Sequence, residues 1–333
     1  EGTCEHGPAT LENIVGTIPG SDAALAGKPL VVVAHYDHLG RGWPDAREGE
    51  AGNVHPGADD NASGVAVLLE LARIFAPSMS PKRPVLFVAT SGEESGLQGA
   101  RAFATATAPW RPADAIGVLN LDTVGRLGDG KLLVLGSGSA DEWVHVVRGA
   151  GWVTGVPAEA VRDDPGGSDQ VAFLDAGVPA VQFFTGPHAD YHRSSDTVET
   201  LDLDGMVDVA TFVREFVGYL ADREEPLTSR LEGAAPKQPA SARTGSRRVS
   251  LGTVPDFAWQ EGGYRLGGVT PGSPAEAAGL REGDVIVRID ATEIAGLRDL
   301  SEALKGKQPG DRVAVTYVRD GERREVAVEL VAR

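Results

Sequence analysis

The sequence predicts an α/β protein with a mostly parallel central sheet flanked by helices, followed by a smaller β-rich domain. Apolar runs at residues 30–34 and 85–89 have the length of buried strands, and the first run consists of LVVVA. Between them, residues 62–75 place apolar side chains at the spacing of an amphipathic helix. Strands that alternate with helices form parallel sheets covered on both faces. A Pro-, Ala-, Ser- and Arg-rich segment at 224–247 then precedes the second domain.

The remaining elements continue this alternation along the chain. In the first domain we predict further strands at 13–17, 116–122, 131–135 and 178–184, helices at 97–105, 141–150 and 203–220, and a loop leading into a helix at 166–177. In the second domain we predict strands at 264–269, 284–289, 312–318 and 325–330, with helices at 274–278 and 297–304.

Length and composition indicate how the chain is divided. At 333 residues and 41% hydrophobic content it can bury more than one core. The shift in composition predicts a first, catalytic domain at 1–222, a flexible linker at 223–247 and a second domain at 248–333.

Charge and cysteine content narrow the class of partner. A net charge of -17 argues against nucleic acid or an anionic membrane as a partner. The single cysteine, Cys4, excludes an internal disulfide and a thiolate metal site. No apolar run approaches the roughly 20 residues that span a bilayer. The chain starts at Glu1 without a signal peptide, so we expect a trimmed form of a secreted or periplasmic bacterial protein.

Potential metal ligands stand at the ends of four predicted strands and at one helix start. They are His35, Glu94, Asp122, His192 and, at the helix start, Asp60. In open α/β sheets, ligands gather at the carboxyl ends of the strands. Two imidazoles and three carboxylates exceed what one tetrahedral zinc with an open position needs. They suit two metal ions, each held by one histidine and one terminal carboxylate, with one carboxylate bridging.

Glu93 directly precedes the candidate ligand Glu94. Adjacent residues that leave a strand point in different directions, so one can bind metal while the other faces a bound water. A carboxylate within hydrogen-bond reach of that water is the expected general base. The pair therefore predicts a catalytic role for Glu93.

Five motifs carry a family resemblance. HYDHLG, GADDNASG, SGEESG, NLDTVG and DYHRSSDT occur in this order within residues 10–220. Together they resemble the site motifs of the co-catalytic zinc exopeptidases, in particular the bacterial leucyl-type aminopeptidases. Relatives of these enzymes include glutamate carboxypeptidases and glutaminyl cyclases. Five ordered motifs are a far stronger indication than one motif alone.

The resemblance implies how the candidate ligands divide between two zinc ions per chain. Carried over by position, His35 and Asp122 hold one zinc, and Glu94 and His192 hold the other. Asp60, the second residue of an Asp pair, bridges them. Zinc accepts imidazole and carboxylate ligands of this kind.

The resemblance also implies three supporting roles. Glu93 matches the general base, Tyr191 matches the tyrosine that steadies the tetrahedral oxyanion, and Asp37 lies behind His35 and fixes its tautomer. The family often has Ser-Asp-His where this chain has Ser-Asp-Gln at 168–170. That loop shapes the substrate side of the site, so the departure bears on specificity more than on catalysis.

Four further polar residues in these motifs are interpreted as structural. His38, His55 and His188 are expected to support the site or to lie in loops, because five ligands already suffice. Asp59 is expected to cap the helix that starts at 61–63.

The second domain resembles a PDZ domain of the type found in HtrA-like proteases. The match consists of VTPGSPAEAAGLREGDVIVRIDATEI at 269–294 and KGKQPGDRVAVTYVRDG at 305–321. PDZ domains add a peptide as an extra strand and hold its C-terminal carboxylate on backbone N–H groups, which implies a C-terminal peptide ligand. The corresponding carboxylate-binding loop consists of Val249, Ser250, Leu251, Gly252 and Thr253.

The sequence therefore favours a zinc-dependent exopeptidase and, within that class, an aminopeptidase. The resemblance implies that a metal-bridging hydroxide, with Glu93 as general base, removes the N-terminal residue of a peptide that has a free N-terminus. A carboxypeptidase or a glutaminyl-cyclase-like enzyme is the alternative among enzymes. From another class, the chain would be a PDZ peptide-binding adaptor with a non-catalytic α/β domain.

Overall fold

The computed structural model describes residues 10–44, 47, 49–78, 80–231, 249–257, 259 and 261–332. The strands of the first unit are β1 (Ile14–Ile18), β2 (Leu30–His35), β3 (Val85–Thr90), β4 (Gly117–Leu121), β5 (Leu132–Leu135), β6 (Ala158–Ala160) and β7 (Ala180–Phe184). Its helices are α1 (Gly64–Ser78), α2 (Gln98–Ala104), α3 (Trp143–Thr154), α4 (Gln170–Asp175) and α5 (Leu203–Asp222).

The seven strands form one sheet in the order β1-β3-β2-β4-β7-β5-β6. Strand β2 is parallel to β3 and β4 on its two sides, and all six of its residues are buried. A strand between parallel neighbours has no solvated face, which explains why LVVVA is apolar throughout. Strand β1 pairs antiparallel at one edge, and β5 pairs antiparallel with β7. The predicted mostly parallel sheet flanked by helices is confirmed.

Successive residues of β2 face two different helical layers. Val32 packs in the core cluster that α1, α3 and α5 cover, whereas Val31 and Val33 pack in the cluster that α2 and α4 cover. In the first layer, Phe183 of β7 meets Phe216 of α5 edge-on, with ring centroids 5.1 Å apart. The two layers cover the faces of the sheet, so polar side chains collect at the strand ends.

Strand β6 and the start of α1 differ from the prediction. Strand β6 consists of Ala-Glu-Ala, which is too short and too little apolar to show a period in the sequence. The helix expected from residue 62 begins at Gly64, after an irregular turn over Ala58–Ser63 in which Asp60 has φ -109° and ψ 88°. This turn, and not a regular helix, presents the Asp pair.

The second unit is a separate β-rich domain with its own core, as predicted. Its strands are β8 (Val249–Ser250), β9 (Thr253–Pro255), β10 (Tyr264–Val269), β11 (Val285–Ile289), β12 (Thr292–Glu293), β13 (Arg312–Arg319), β14 (Glu322–Glu329) and β15 (Val331–Ala332), and its helices are α6 (Pro274–Ala277) and α7 (Leu297–Leu304). The main sheet has the order β14-β13-β11-β10-β9, with β12 beside β11, while β8 pairs with β15.

The segment that precedes the second unit begins in contact with the first. The Thr228 amide donates to Glu142 Oε2 at 2.8 Å, and Leu227 is buried in the larger core. Of the predicted linker at 223–247, residues 232–247 lie outside the described residues, and its bounds stay a prediction. Within the described ranges, every helix is too short or too polar to cross a lipid bilayer.

Candidate metal centre

The five predicted ligands meet at the carboxyl edge of the sheet. His35 is the last residue of β2, and Asp122 directly follows β4. Glu94 lies in the turn after β3, and Asp60 lies in the irregular turn before α1. His192 lies in the loop after β7. Because β2, β3, β4 and β7 run in the same direction, their ends converge on one edge.

One group of ligand atoms surrounds the His35 imidazole. His35 Nε2 lies 3.4 Å from Asp60 Oδ1 and 3.5 Å from Asp122 Oδ1. All three residues are buried, and one ligand atom from each lies within 4.8 Å of the others. This arrangement can hold a metal ion.

A second group uses the other oxygen of Asp60. His192 Nε2 lies 3.3 Å from Asp60 Oδ2 and 3.3 Å from Glu94 Oε2. Each oxygen of one carboxylate therefore faces a different pair of one histidine and one acid. This is the geometry that a bridging ligand between two ions requires.

His38 also approaches the second group. Its Nδ1 atom lies 2.9 Å from Glu94 Oε1 and 3.9 Å from Asp60 Oδ2. The sequence interpretation placed His38 among supporting or loop residues, and the structure adds it as a further candidate ligand of Glu94's group. Its position three residues after His35 in HYDHLG was the available signal.

Asp37 lies behind His35 and contacts it through its backbone carbonyl oxygen. His35 Nδ1 lies 3.0 Å from the Asp37 carbonyl oxygen, so an N–H at Nδ1 donates to it and leaves Nε2 to face the carboxylates. The Asp37 carboxylate lies 3.9 Å from His35 Nδ1 and instead accepts the Glu93 amide at 3.2 Å. Asp37 thus orders both the histidine and the predicted base.

Asp196 fixes the turn that carries Asp60. Its carboxylate accepts the amides of Asp59 and Asp60, each at 3.0 Å to Oδ2. Asp196 lies within DYHRSSDT, four residues after His192, but nothing in the residue pattern distinguished it from an ordinary loop acid. A buried carboxylate that accepts two N–H groups holds the backbone firmly, since each bond involves a charged acceptor.

The expected capping role of Asp59 is wrong. The Asp59 carboxylate accepts the Gly125 amide at 2.6 Å, so it binds the chain after β4. Asn61 performs the capping instead, because its side-chain Oδ1 accepts the Gly64 amide at 3.0 Å at the start of α1. The irregular turn shifts the helix start and with it the capping residue.

The backbone is constrained at two points beside the ligands. His192 and Thr123, the residue after Asp122, both have φ 58°, in the left-handed region that non-glycine residues rarely adopt. The Thr123 carbonyl accepts the Thr185 amide at 3.0 Å, which fixes this conformation. Such constrained residues cluster at functional sites.

The pKa shifts of His35 and Asp60 indicate a site with excess negative charge. Burial alone would lower the pKa of His35, but the charges of Glu93 and Asp122 raise it well above its usual value. Burial would raise the pKa of Asp60, but hydrogen bonds from His192 and His35 lower it. Buried carboxylates at this density need a positive charge to balance them, which a divalent cation would supply.

The pKa of Glu93 is shifted upward, in the opposite direction to that of Asp60. The Glu93 side chain is buried, and burial raises its pKa well above the usual value, with a further increase from the charges of Asp122 and Glu94. The charge of His35 opposes this increase. A raised pKa makes a carboxylate a stronger base, which suits a group that accepts a proton from water.

Tyr191 stacks on the ring of His192, with centroids 3.9 Å apart and planes at 20°. Burial and the charges of Asp60 and Glu94 raise the pKa of its hydroxyl well above the usual value, so Tyr191 remains a neutral O–H donor. Arg47 Nε donates to the Tyr191 carbonyl oxygen at 3.3 Å, and the Arg47 guanidinium lies 5.5 Å from the centroid of the Tyr191 ring.

The Ser-Asp-Gln departure lies in a buried network beside the ligands. Gln170 Oε1 accepts a hydrogen bond from Asn120 Nδ2 at 2.8 Å, and Gln170 Nε2 donates to Gln182 Oε1 at 3.0 Å. Asp169 accepts a short hydrogen bond from the Thr90 hydroxyl. The loop therefore braces β3, β4 and β7 where these strands reach the site.

An open α/β sheet with such a cage of imidazoles and carboxylates at its carboxyl edge defines a class of metal-dependent hydrolases. A model of peptidase family M28 matches residues 13–217, and the chain belongs to this family. A PDZ domain model matches residues 256–330, so the second unit is a PDZ domain. The resemblance stated from the sequence motifs is thereby confirmed.

Known relatives are similar over part of their length. Over 242 residues the chain is 30% identical to a probable zinc metalloprotease of the fungus Pyricularia oryzae, covering 62% of this chain and 46% of that protein. The zinc aminopeptidase BSAP from Bacillus subtilis is similar at a TM-score of 0.54 and 24% identity, covering 65% of this chain and 53% of that one. The chain thus spans about half the length of these relatives.

Two further solved structures have the same fold. An aminopeptidase from Aneurinibacillus sp. strain AM-1 is similar at a TM-score of 0.51 and 26% identity, covering 64% of this chain and 49% of that one. A glutaminyl cyclase from Porphyromonas gingivalis is similar at a TM-score of 0.51 and 19% identity, covering 62% of this chain and 77% of that one. Aminopeptidases and a cyclase thus share this sheet.

The pKa of Asp169 gives the metal-free protein a pH-dependent stability. Burial raises this pKa from 3.8 to about 6. Because the folded protein binds the proton more tightly than the unfolded chain does, the contribution of Asp169 to stability falls as pH rises through this window. We therefore expect Asp169→Asn to gain stability relative to the parent protein between about pH 4 and about pH 6, reaching on the order of 3 kcal/mol before it levels off.

Urea unfolding of both proteins in the presence of a chelator measures this difference. Loss of the hydrogen bond to Thr90 adds a constant offset, so only the change with pH tests the prediction. A difference in unfolding free energy that stays constant across this window would contradict it.

Proposed function

We propose that this chain is a zinc-dependent exopeptidase that removes N-terminal residues from peptides. The observation that supports it most strongly is the Asp60 carboxylate, whose two oxygens face two separate groups: His35 with Asp122, and His192 with Glu94, which His38 also approaches. Membership of peptidase family M28 supports peptide-bond hydrolysis. The likeness to a solved aminopeptidase at 26% identity favours the N-terminal specificity.

The donor set fits two zinc ions. His35 and Asp122 would hold one, His192 and Glu94 would hold the other, and Asp60 would bridge them. Imidazole nitrogen and carboxylate oxygen are ordinary zinc ligands, and their excess negative charge favours cations. Zinc held there would supply Lewis acidity, which polarises a carbonyl and lowers the pKa of water.

Glu93 moves the proton in this proposal. Its carboxylate takes a proton from the attacking water while the water oxygen forms a bond to the scissile carbonyl carbon. When the carbon–nitrogen bond breaks, Glu93 returns that proton to the leaving amine nitrogen. The raised pKa of Glu93 suits both steps, because neither transfer is then strongly uphill.

Tyr191 stabilises the charge that develops on the carbonyl oxygen. As a neutral phenol it can donate a hydrogen bond to that oxygen, and its stacking on His192 holds the ring beside the metal ligands. A donor that is already in place costs no reorganisation when the charge develops. Arg47 keeps Tyr191 in place through the backbone carbonyl.

Two alternatives remain within the same fold. The glutaminyl cyclase neighbour favours acyl transfer as an alternative, and a carboxypeptidase would use the same catalytic residues. Peptides with blocked and with free N-termini separate an aminopeptidase from a carboxypeptidase, because only the aminopeptidase requires the free amine. A peptide with an N-terminal glutamine separates both from a cyclase, which would release ammonia and no amino acid. The adaptor hypothesis from the other class predicts a chain that binds no zinc, against which the buried ligand cage argues.

The PDZ domain is proposed to bind peptide C-termini at residues 249–253. The sequence predicted a loop here, but Val249 and Ser250 belong to β8 and Thr253 starts β9, so only Leu251 and Gly252 form the turn between them. Gly252 has φ 75°, and a Cβ there would lie 2.2 Å from Ser273 Cβ, so the turn requires glycine. The Leu251 carbonyl accepts the Ala275 amide at 2.9 Å, which anchors the loop on α6. A fixed loop of this kind can direct backbone N–H groups at a carboxylate.

The expected secreted or periplasmic bacterial location stays a prediction. The fungal origin of the curated relative described above argues against assuming a bacterial source. Fractionation of the source cells, with an antibody against the PDZ domain, would locate the protein.

Metal analysis tests the two-ion site. We expect two zinc ions per chain in the parent protein and one in His35→Ala or His192→Ala, because each histidine belongs to a different group. Asp60→Asn should weaken both sites, because it removes a charge that the two groups share. Plasma emission spectroscopy after dialysis gives the count, with His145→Ala as a control at a histidine outside the cage. If His35→Ala still binds two zinc ions, the proposed division of the ligands between two zinc sites is wrong.

Replacing the base should remove turnover while zinc stays bound. We expect Glu93→Gln to lower kcat by about 100- to 10,000-fold, because it removes the proton carrier but leaves the ligands in place. A panel of aminoacyl chromogenic amides measures the rate, and metal analysis of the same sample checks the zinc. Activity close to that of the parent protein would refute the role of Glu93.

Removing only the phenolic hydroxyl tests Tyr191. We expect Tyr191→Phe to lower kcat by about 100-fold with little change in KM, because the hydrogen bond forms only as the oxyanion develops. Tyr36→Phe is the matched control, since the Tyr36 hydroxyl binds the Glu12 carbonyl away from the ligands. A change in KM alone would assign Tyr191 to substrate binding instead.

A further inference from the structure

The two units of the chain meet at an aromatic contact beside the metal centre. Phe257, in the loop after β9, packs edge-on against Phe184 at the end of β7, with ring centroids 5.2 Å apart and planes at 82°. Leu135 and Val161 belong to the same apolar cluster. Edge-to-face aromatic pairs contribute beyond the area they bury, so this contact can join the two units.

The loop that carries Phe257 is braced within the PDZ domain. The Asp256 carboxylate accepts a hydrogen bond from Arg265 Nη1 at 3.0 Å, and the Asp256 amide donates to the Arg265 carbonyl at 3.0 Å. The Arg265 guanidinium also lies 4.9 Å from the centroid of the Trp259 ring. Phe257 is therefore tied to β10, and its contact holds the PDZ sheet itself against the first unit.

Phe184 places this contact next to the metal ligands. The Asp122 amide donates to the carbonyl of Phe183, the preceding residue, at 3.3 Å. Phe184 is thus level with Asp122 at the carboxyl edge of the sheet. The contact with the PDZ domain therefore lies at the carboxyl edge of the sheet, on the strand next to the one that leads to Asp122.

The position of β9 at the edge of its sheet determines the direction in which a bound peptide runs. Strand β9 is the last strand in its sheet, and no other described strand pairs with its outer edge. A PDZ ligand adds a strand to such an edge. With its carboxylate at the proposed loop of residues 249–253, the preceding residues run along β9 from Thr253 to Pro255 and leave the domain beside Phe257.

We propose that the Phe257 contact fixes the PDZ domain so that a peptide held by its C-terminal carboxylate reaches the metal centre with its free N-terminus first. The proposal rests on the proposed aminopeptidase function and adds a substrate class, namely peptides with both termini free and long enough to occupy both sites. The direction of the peptide chain suits both sites, because the PDZ domain binds its C-terminus and the metal centre acts on its N-terminus. Holding one end raises the effective concentration of the other.

The separation of the two sites sets a minimum substrate length. Two phenylalanine side chains in contact, together with one inter-strand spacing, span about 20 Å. Roughly six extended residues cross this distance at about 3.3 Å each. With about four more residues paired along β9, a substrate needs roughly ten residues to occupy both sites.

The test measures kcat/KM of the zinc-loaded full chain on three substrates. These are an aminoacyl chromogenic amide, a peptide of about fourteen residues with a free carboxylate, and the same peptide with a C-terminal amide. We expect the free acid to have a kcat/KM at least about tenfold above that of its amide, through a lower KM. Phe257→Ala should lose this preference and still cleave the aminoacyl amide at the parent rate.

Two control variants separate docking from folding. Phe257→Leu keeps an apolar side chain and should retain part of the preference, whereas Trp152→Ala removes an 89% exposed aromatic on the opposite face of the sheet and should retain all of it. Fluorescence anisotropy with an N-blocked form of the free-acid peptide should give the same Kd for Phe257→Ala as for the parent protein, since the groove itself is intact.

Equal kcat/KM for the acid and the amide in the parent protein would overturn the proposal, as would a preference that survives in Phe257→Ala. Faster cleavage of the aminoacyl amide by Phe257→Ala would also overturn it, because Phe257 would then be closing the site. If the zinc-loaded parent protein cleaves none of the three substrates, the proposed aminopeptidase function is wrong, and so is the proposal that the PDZ domain delivers peptides to the metal centre. If the parent protein cleaves the aminoacyl amide but does not prefer the free-acid peptide over its C-terminal amide, only the proposed delivery by the PDZ domain is wrong.

Discussion

The site depends on one buried carboxylate that faces two ways. Asp60 Oδ1 lies near His35 and Asp60 Oδ2 near His192, so this side chain alone decides whether the other ligands form one group or two. A carboxylate in that position must not rotate. Asp196 accepts the amides of Asp59 and Asp60 and so fixes the backbone from which the carboxylate projects.

Two buried acids at the same edge are shifted in opposite directions. Asp60 is held ionised, because hydrogen bonds from His35 and His192 outweigh the effect of burial on its pKa. Glu93 is buried as well, but neighbouring carboxylates add to the effect of burial and raise its pKa. Carboxyl groups whose environments move their pKa values apart take different roles. Asp60 is suited to bind cations, whereas Glu93 is suited to exchange a proton.

The sequence predicted where the strands end, and for that reason it predicted which side chains the structure brings together at the carboxyl edge. His35 and Asp122 follow apolar runs, and parallel strands bring such residues to one edge. It could not predict contacts that depend on how the loops fold back. Asp37 supports His35 through a carbonyl oxygen and not through its carboxylate, and no residue pattern distinguishes these two.

The irregular turn over Ala58–Ser63 explains why the sequence predicted the wrong capping residue and gave no sign of the contact with Asp196. A regular helix would let Asp59 cap it, but in the actual turn Asp59 binds Gly125 and Asn61 caps α1. Asp196 reaches this turn from a loop 136 residues away from Asp60 in the chain. Sequence motifs record that such residues occur together, but the hydrogen bonds between them follow from a backbone conformation that the residue types do not specify.

The direction of the strands also explains why it matters where the PDZ domain contacts the peptidase unit. Parallel strands place the candidate metal ligands at one edge of the sheet. The PDZ sheet is joined there through Phe257, and its open strand β9 leads from the proposed carboxylate loop toward this edge. A domain docked at the opposite edge could bind the same peptide but would direct its free end away from the metals. In the proposed delivery of peptides, the placement of the PDZ domain through the Phe257 contact matters as much as its peptide-binding edge.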